Sequence, residues 1–283
     1  MTEVLLPALK LSVVVLTLGI GLSEPASDLL YTWRRPGLLL RSLLAMYVLV
    51  PLVALGLAKF LPLTLGAKAA LLLLAVSAGA PLLPRRLATF GAVPYLFSLG
   101  FTSSVLAMAI VPLSFRALGA WFDVPVQTPA IEVALVIGKS ILLPLGVGMG
   151  LRAVLPDRVR EKALPLLTNG AGLALVAATL ALLGSKLDLL LEARLSGVAA
   201  RVVLMIIALA TGHALGGPVP GERSALAIAC ATRHLGIALL VASTLPGRPR
   251  LVLLIGVYIV VSLAVTAPYL RWRKKALAAQ RPA

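Results

Sequence analysis

Nine times along this chain an apolar run reaches the ~17–25 residues needed to cross ~30 Å of hydrocarbon as a helix. The runs are 4–22, 36–57, 65–84, 93–115, 131–155, 164–184, 196–217, 224–244 and 251–270. Little chain is left between them, so 1–283 reads as a single all-α polytopic unit with nine transmembrane helices and no separate soluble domain. Barrel strands are excluded, because they alternate in polarity over ~10 residues and Leu71-Leu-Leu-Leu-Ala-Val76 does not. The composition agrees: 60% of residues are hydrophobic and 13% charged, whereas a soluble domain carries about 25% charged residues. The net charge of +16 lies in connections between apolar runs. It forms no basic face with interleaved aromatics, so no nucleic-acid partner is expected. Cys230 is the single cysteine, which excludes an intrachain disulfide and a thiolate metal site. Ser23-Glu24-Pro25 follows the first run where a cleavage site would need small residues, so that run is expected to stay as a mature helix.

Positive connections stay on the cytoplasmic side. With the N-terminus outside, the inner segments collect Arg34, Arg35, Arg41, Arg85, Arg86, Arg152, Arg158, Arg160, Lys162, Arg223 and the basic tail 271–283. The outer segments hold fewer: Lys59, Lys68, Arg116, Lys186, Arg194, Arg201, Arg248 and Arg250. The reading is an integral protein of the plasma (inner) membrane, N-terminus outside and C-terminus cytoplasmic. Trp33, Trp121 and Trp272 fall at run ends, where interfacial anchors belong. The tail cluster of Arg271, Arg273, Lys274 and Lys275 is a topology anchor that anionic lipids would suit.

The run starts at 4, 36, 65 and 93 recur, about 160 residues on, at 164, 196, 224 and 251. One run, 131–155, separates the quartets, so matching members cross in opposite senses. That is the inverted-topology repeat of many secondary transporters, with 4–115 as the first repeat and 164–270 as the second.

The third member of each quartet is irregular. Ser77-Ala-Gly-Ala-Pro-Leu-Leu-Pro84 sets Gly79, Pro81 and Pro84 toward the inner end of run 3, and Cys230-Ala-Thr-Arg-His-Leu-Gly236 sets Arg233 in the middle of run 8. An arginine at the midplane costs ~2.5–3.5 kcal/mol on insertion scales. Interrupted segments in corresponding positions are the best sequence pointer to a substrate site. The candidate crossing site is therefore Arg233, His234, Thr232, Cys230, Gly236, Ser77, Gly79 and Pro81. Plainer readings stand beside it. The prolines can simply kink a helix, Arg233 can tie backbone carbonyls, and His234 can be a packing residue or a proton carrier. Lys139, Lys10 and Arg201 can snorkel to the surface, and His213 reads as interfacial. Asn169 is a further polar residue inside an apolar run. Gly146-Val-Gly-Met-Gly150 offers a small-residue face for close helix packing.

Gly19-Ile-Gly-Leu-Ser23, Leu29-Leu30 and Arg34-Arg35-Pro36-Gly-Leu-Leu-Leu40 resemble the first segments of the bile acid:sodium symporter family. The Arg-Arg-Pro-Gly stretch is the specific part, and the likeness extends through most of the chain. The resemblance implies a core and a panel domain built from inverted repeats, with two broken helices crossing at the centre and the first of the usual ten helices missing. It also implies which positions would bind sodium. Aligned on Gly236, the family's Glu and its Gln-Asn pair fall on Ala229, Arg233 and His234. The Ser-Asn pair of the first broken helix falls on Leu82 and Leu83. The Ser and Thr ligands of the next helix fall on Leu96 and Gly100, with Ser98 and Thr102 nearby in a shifted register. On this alignment sodium ligation is largely lost.

The acids point the same way, since all ten lie in connections or at helix ends, and no buried carboxylate is expected to balance a hard cation. The leading expectation is a secondary or facilitative transporter of a small organic anion, sodium-independent, with Arg233 in place of the ion and no cofactor or metal. Sodium coupling through a remodelled site with Ser98 and Thr102, proton coupling through His234, a channel-like pore and a non-transporting membrane sensor or scaffold stay open. No enzyme is expected, because no nucleophile with a base and no paired carboxylates occur in the runs. The sequence leaves the oligomeric state open.

Overall fold

The computed structural model describes residues 2–78, 92–121, 129–184, 195–242 and 248–278. Among these, all nine apolar runs are helical and no strand occurs. The helices are α1 (Thr2–Ser23), α2 (Pro36–Phe60), α3 (Leu65–Val76), α4 (Val93–Trp121), α5 (Ile131–Val154), α6 (157–184) and α7 (Leu195–Leu215), then α8 (Pro220–Thr232), α9 (Leu235–Ala242) and α10 (Arg248–Ala278). Six of them, α2, α4, α5, α6, α7 and α10, are long and apolar enough to cross a bilayer alone. Run 1 is helical throughout, within α1, but the expectation of nine full-length spans is corrected at two places: the helix of run 3 ends at Val76, before Ser77 and Ala78, and run 8 is divided into α8 and α9. At 1.5 Å per residue neither piece of run 8 spans ~30 Å by itself. Gly79, Pro81, Leu82, Leu83 and Pro84 lie outside the described residues.

Prolines shape the long helices without ending them. In α2 the segment Leu44–Leu49 is a π turn, in which Val50 N–H donates to the Ala45 carbonyl. The Met46 carbonyl thereby loses its usual donor, and the next amide along belongs to Pro51, which has no hydrogen to give. The same arrangement recurs in α5, where the π turn Gly138–Leu142 precedes Pro144.

Packing gathers the helices around two apolar centres. One takes side chains from α1, α5, α6, α9 and the first half of α10, the other from α2 and α8; α3, α4 and α7 give residues to both, Leu73, Val111 and Met205 to the first and Leu71, Leu99 and Leu204 to the second. In the first, α1 and α5 touch backbone to backbone. A Cβ on Gly21 would stand 2.2 Å from the Leu145 carbonyl oxygen, and one on Gly148 would stand 2.2 Å from that of Leu18. Gly148 thus carries the small-residue contact, while Gly146 and Gly150 face open space. In the second, α7 lies along α8, with Gly212 against Ala227.

The connection from α1 to α2 folds back over the bundle. Its 3-10 turn, Ala26–Leu30, rests on α4. The Ser98 hydroxyl donates to the Leu29 carbonyl at 2.6 Å, and the Thr32 amide donates back to Ser98 Oγ at 3.0 Å. Trp33 Nε1 donates to Thr102 Oγ1 at 3.1 Å.

Candidate functional site

The break between α8 and α9 falls at Arg233 and His234, in the middle of the eighth run. Arg233 caps α8 with φ 49°, the one positive φ outside glycine among the described residues. Such a conformation costs of order 1–3 kcal/mol and persists only where the surroundings enforce it. Here they do so from three sides. The His234 amide donates to the Ser77 carbonyl at 2.8 Å, tying the break to the end of α3. The Tyr258 hydroxyl of α10 donates to the Ala231 carbonyl in the last turn of α8. Arg233 Nη1 donates at 2.9 Å to the Met46 carbonyl, the group that Pro51 left without an amide. His234 Nδ1 accepts from the Ile237 amide at 3.2 Å and so caps α9. That bond makes Nε2 the protonated nitrogen of the ring.

The site ends up donor-rich. Arg233 is 2% exposed, and its Nε and Nη2 have no partner among the described residues; His234 Nε2 and Ser77 Oγ are likewise buried and unpartnered there. No carboxylate acts on the guanidinium among the described residues. A buried charge without a counter-charge is costly, and the same groups are ready donors for an anion.

The sequence-derived candidates separate into groups. Arg233, His234 and Ser77 meet at the break, with Thr232, Cys230 and Ala229 on the last turns of α8 and Gly236 on the first turn of α9. The Thr232 hydroxyl is engaged by the Ile228 carbonyl at 2.8 Å. Ser98 and Thr102 are held by the α1–α2 connection instead. Lys139 and Asn169 are exposed on the π turns of α5 and α6. His213 pairs through Nδ1 with the Tyr269 hydroxyl at 2.8 Å, beside Trp272. Arg273 of the tail is turned inward, its Nε donating to Ser224 Oγ at 2.8 Å and its Nη2 to the Pro220 carbonyl at 3.2 Å, while Arg271, Lys274 and Lys275 are exposed. Gly79, Pro81, Leu82 and Leu83 fall outside the described residues.

Three expectations need correction. Arg201 does not snorkel; it is 1% exposed inside the second turns of α7. Arg273 is no free anchor. A buried carboxylate does exist: Glu222, 4% exposed in the first turn of α8. It accepts from Arg35 Nη1 at 2.6 Å and from the Tyr31 hydroxyl at 2.7 Å, and Arg35 lies over the Tyr31 ring at 4.5 Å. About three turns of α8 separate it from the break, so it balances Arg35 and not Arg233. Burial, and then the bond to Glu222, raise the Tyr31 hydroxyl above its ordinary pKa. The signals for these features were present: Pro51 in a run for the Met46 carbonyl, and Arg35 with a lone acid at a helix start for the clasp. Tyr258 carried none.

With this geometry in view, the chain defines an integral membrane protein built on one discontinuous helix with a charged break. Residues 8–193 match the model of the sodium bile acid symporter family, and the chain belongs to that family of transporters. The match covers α1 through α6 and stops before Arg233. No curated protein matches the chain.

Proposed function

We propose that this protein is a secondary or facilitative transporter of an organic anion that works without sodium, Arg233 supplying the positive charge at the crossing. The observation that carries the reading is a buried guanidinium at the helix break with Nε and Nη2 free and no carboxylate beside it among the described residues. A sodium site would need several oxygen ligands converging there; the side chains of Ala229 and Cys230 offer none, the hydroxyls of Ser98 and Thr102 are spent on the α1–α2 connection, and Ser77 Oγ is the one unspent hydroxyl at the break among the described residues. His234 is a poorer proton carrier than its sequence position suggested, since its Nδ1 is used to cap α9. Its free Nε2–H is instead a second donor for the solute.

Movement would set the group of α1, α5 and α6, which pack tightly on one another, as the panel against the remaining helices, with the break between α8 and α9, as the core that carries the anion. The distribution of Lys and Arg supports an inner-membrane location with the N-terminus outside.

Thermal unfolding of detergent-purified protein in NaCl, KCl and choline chloride at equal ionic strength, wild type beside Arg233→Gln, tests the coupling. Bound ligand raises apparent stability by RT ln(1 + [L]/Kd). The expected result is no sodium-specific shift in wild type, together with loss of anion counterflow in proteoliposomes made from Arg233→Gln. A sodium-specific rise in wild type, or counterflow by Arg233→Gln equal to wild type, overturns the reading.

A further inference from the structure

Arg233 reaches out of its own segment for an acceptor: its Nη1 donates at 2.9 Å to the carbonyl of buried Met46 in α2. A carbonyl in mid-helix is ordinarily taken by the amide four residues on. In α2 that amide, Val50, donates instead to Ala45. The next amide would carry the wider register on to Met46, but it belongs to Pro51 and has no hydrogen. The π turn and the proline together leave one buried acceptor bare, which is costly until a donor fills it, and the guanidinium does so. Which nitrogen is spent decides what remains. Nη1 lies on the side of the side-chain stem, so its engagement leaves Nε and Nη2, whose hydrogens point side by side along the opposite edge of the plane and have no partner among the described residues. That edge is the one a carboxylate accepts with both oxygens.

Resting on the reading of Arg233 as the anion site, we infer that Pro51 is its positioning residue. By withholding an amide hydrogen from Met46, Pro51 keeps Nη1 engaged and fixes the Nε–Nη2 edge as the face shown to a carboxylate. An amide at position 51 would compete for the same carbonyl and free the guanidinium to roll about its stem, so that the paired donors are no longer held in register for the solute. Pro144 stands in the same relation to the π turn Gly138–Leu142 of α5. The bond from Arg233 goes to α2, so Pro144 separates the effect of a proline after a π turn from the effect on Arg233.

A double-mutant cycle by thermal unfolding of the purified full chain, with no ligand added, tests the tether. Arg233→Met leaves the Met46 carbonyl bare, and Pro51→Ala supplies it with an amide. Pro51→Ala should therefore raise the melting temperature more in the Arg233→Met background than in wild type, by about 2–4 °C, the order of one recovered buried hydrogen bond. The ordinary gain of alanine over proline in a helix cancels in that comparison. Pro144→Ala should act equally in both backgrounds. Equal effects of Pro51→Ala in the two backgrounds, or the same excess from Pro144→Ala, overturn the inference. Should Arg233→Met fail to fold, recovery of folded protein by Pro51→Ala and not by Pro144→Ala takes the place of the temperature shift, and recovery by both or by neither overturns it. The site is then read with acetate titrated against chloride at equal ionic strength. Its dissociation constant should rise about tenfold in Pro51→Ala, the order of one lost charge-assisted bond, and stay unchanged in Pro144→Ala; an unchanged constant in Pro51→Ala overturns the positioning role. Acetate that stabilises Arg233→Met as much as wild type fails the reading of Arg233 instead, a result separate from the ligand-free cycle.

Discussion

Glu222 gathers a guanidinium N–H and a phenol onto one oxygen at the start of α8, and both come from the connection that joins α1 to α2. Replacing it with alanine strands a half-buried hydroxyl and leaves Arg35 to solvent. A loss of about 1–3 kcal/mol in apparent unfolding free energy is expected for Glu222→Ala, against about 1 kcal/mol for Tyr31→Phe. The phenol also has a pH signature. Its folded pKa is raised above 10.0 by burial and then by Glu222, so its contribution is complete below pH 10 and is lost as pH rises further. The stability difference between wild type and Tyr31→Phe should be level below pH 10 and shrink above it in a pH series of thermal melts. The Arg-Arg-Pro-Gly stretch now has a physical reading: Arg35 is the clasp on Glu222, and Pro36 starts α2 where a missing amide hydrogen costs nothing.

At the scale of helices, α1 and α5 approach so closely that two glycines decide the distance. Gly148→Ala should drive a methyl into the Leu18 carbonyl and cost about 1–3 kcal/mol. Gly146→Ala, two residues away, meets nothing within 4 Å and should be neutral or slightly stabilising from helix propensity. Equal melting temperatures for the two variants would remove the backbone contact from the account. The eighth run behaves differently from its neighbours because its middle cannot stay helical once Arg233 adopts φ 49°. The half-helices are then kept apart by partners from α2, α3 and α10, none of them adjacent in sequence.

Across the whole molecule, orientation can be read chemically because Cys230 is buried. A cysteine at exposed Pro62, between α2 and α3, should react with a membrane-impermeant maleimide in intact cells. One at exposed Arg158, at the start of α6, should react only after permeabilisation. The reverse pattern would invert the topology.

Membership in an all-helical membrane family, the break in run 8 and Arg233 as its charged residue were all legible in the linear chain. Hydrocarbon admits few solutions to backbone hydrogen bonding, and a lone arginine amid apolar residues is conspicuous in any scan. What the sequence left open was where donors and acceptors find each other. Whether Arg201 reaches the surface, whether Glu222 is dry, and which carbonyl meets Arg233 depend on helices distant in the chain. Periodicity and hydropathy describe each helix against lipid, but burial of a polar group is a property of the neighbours it acquires on packing. The sequence by itself determined the spans, and tertiary contact decided which charges are left without a partner at the centre.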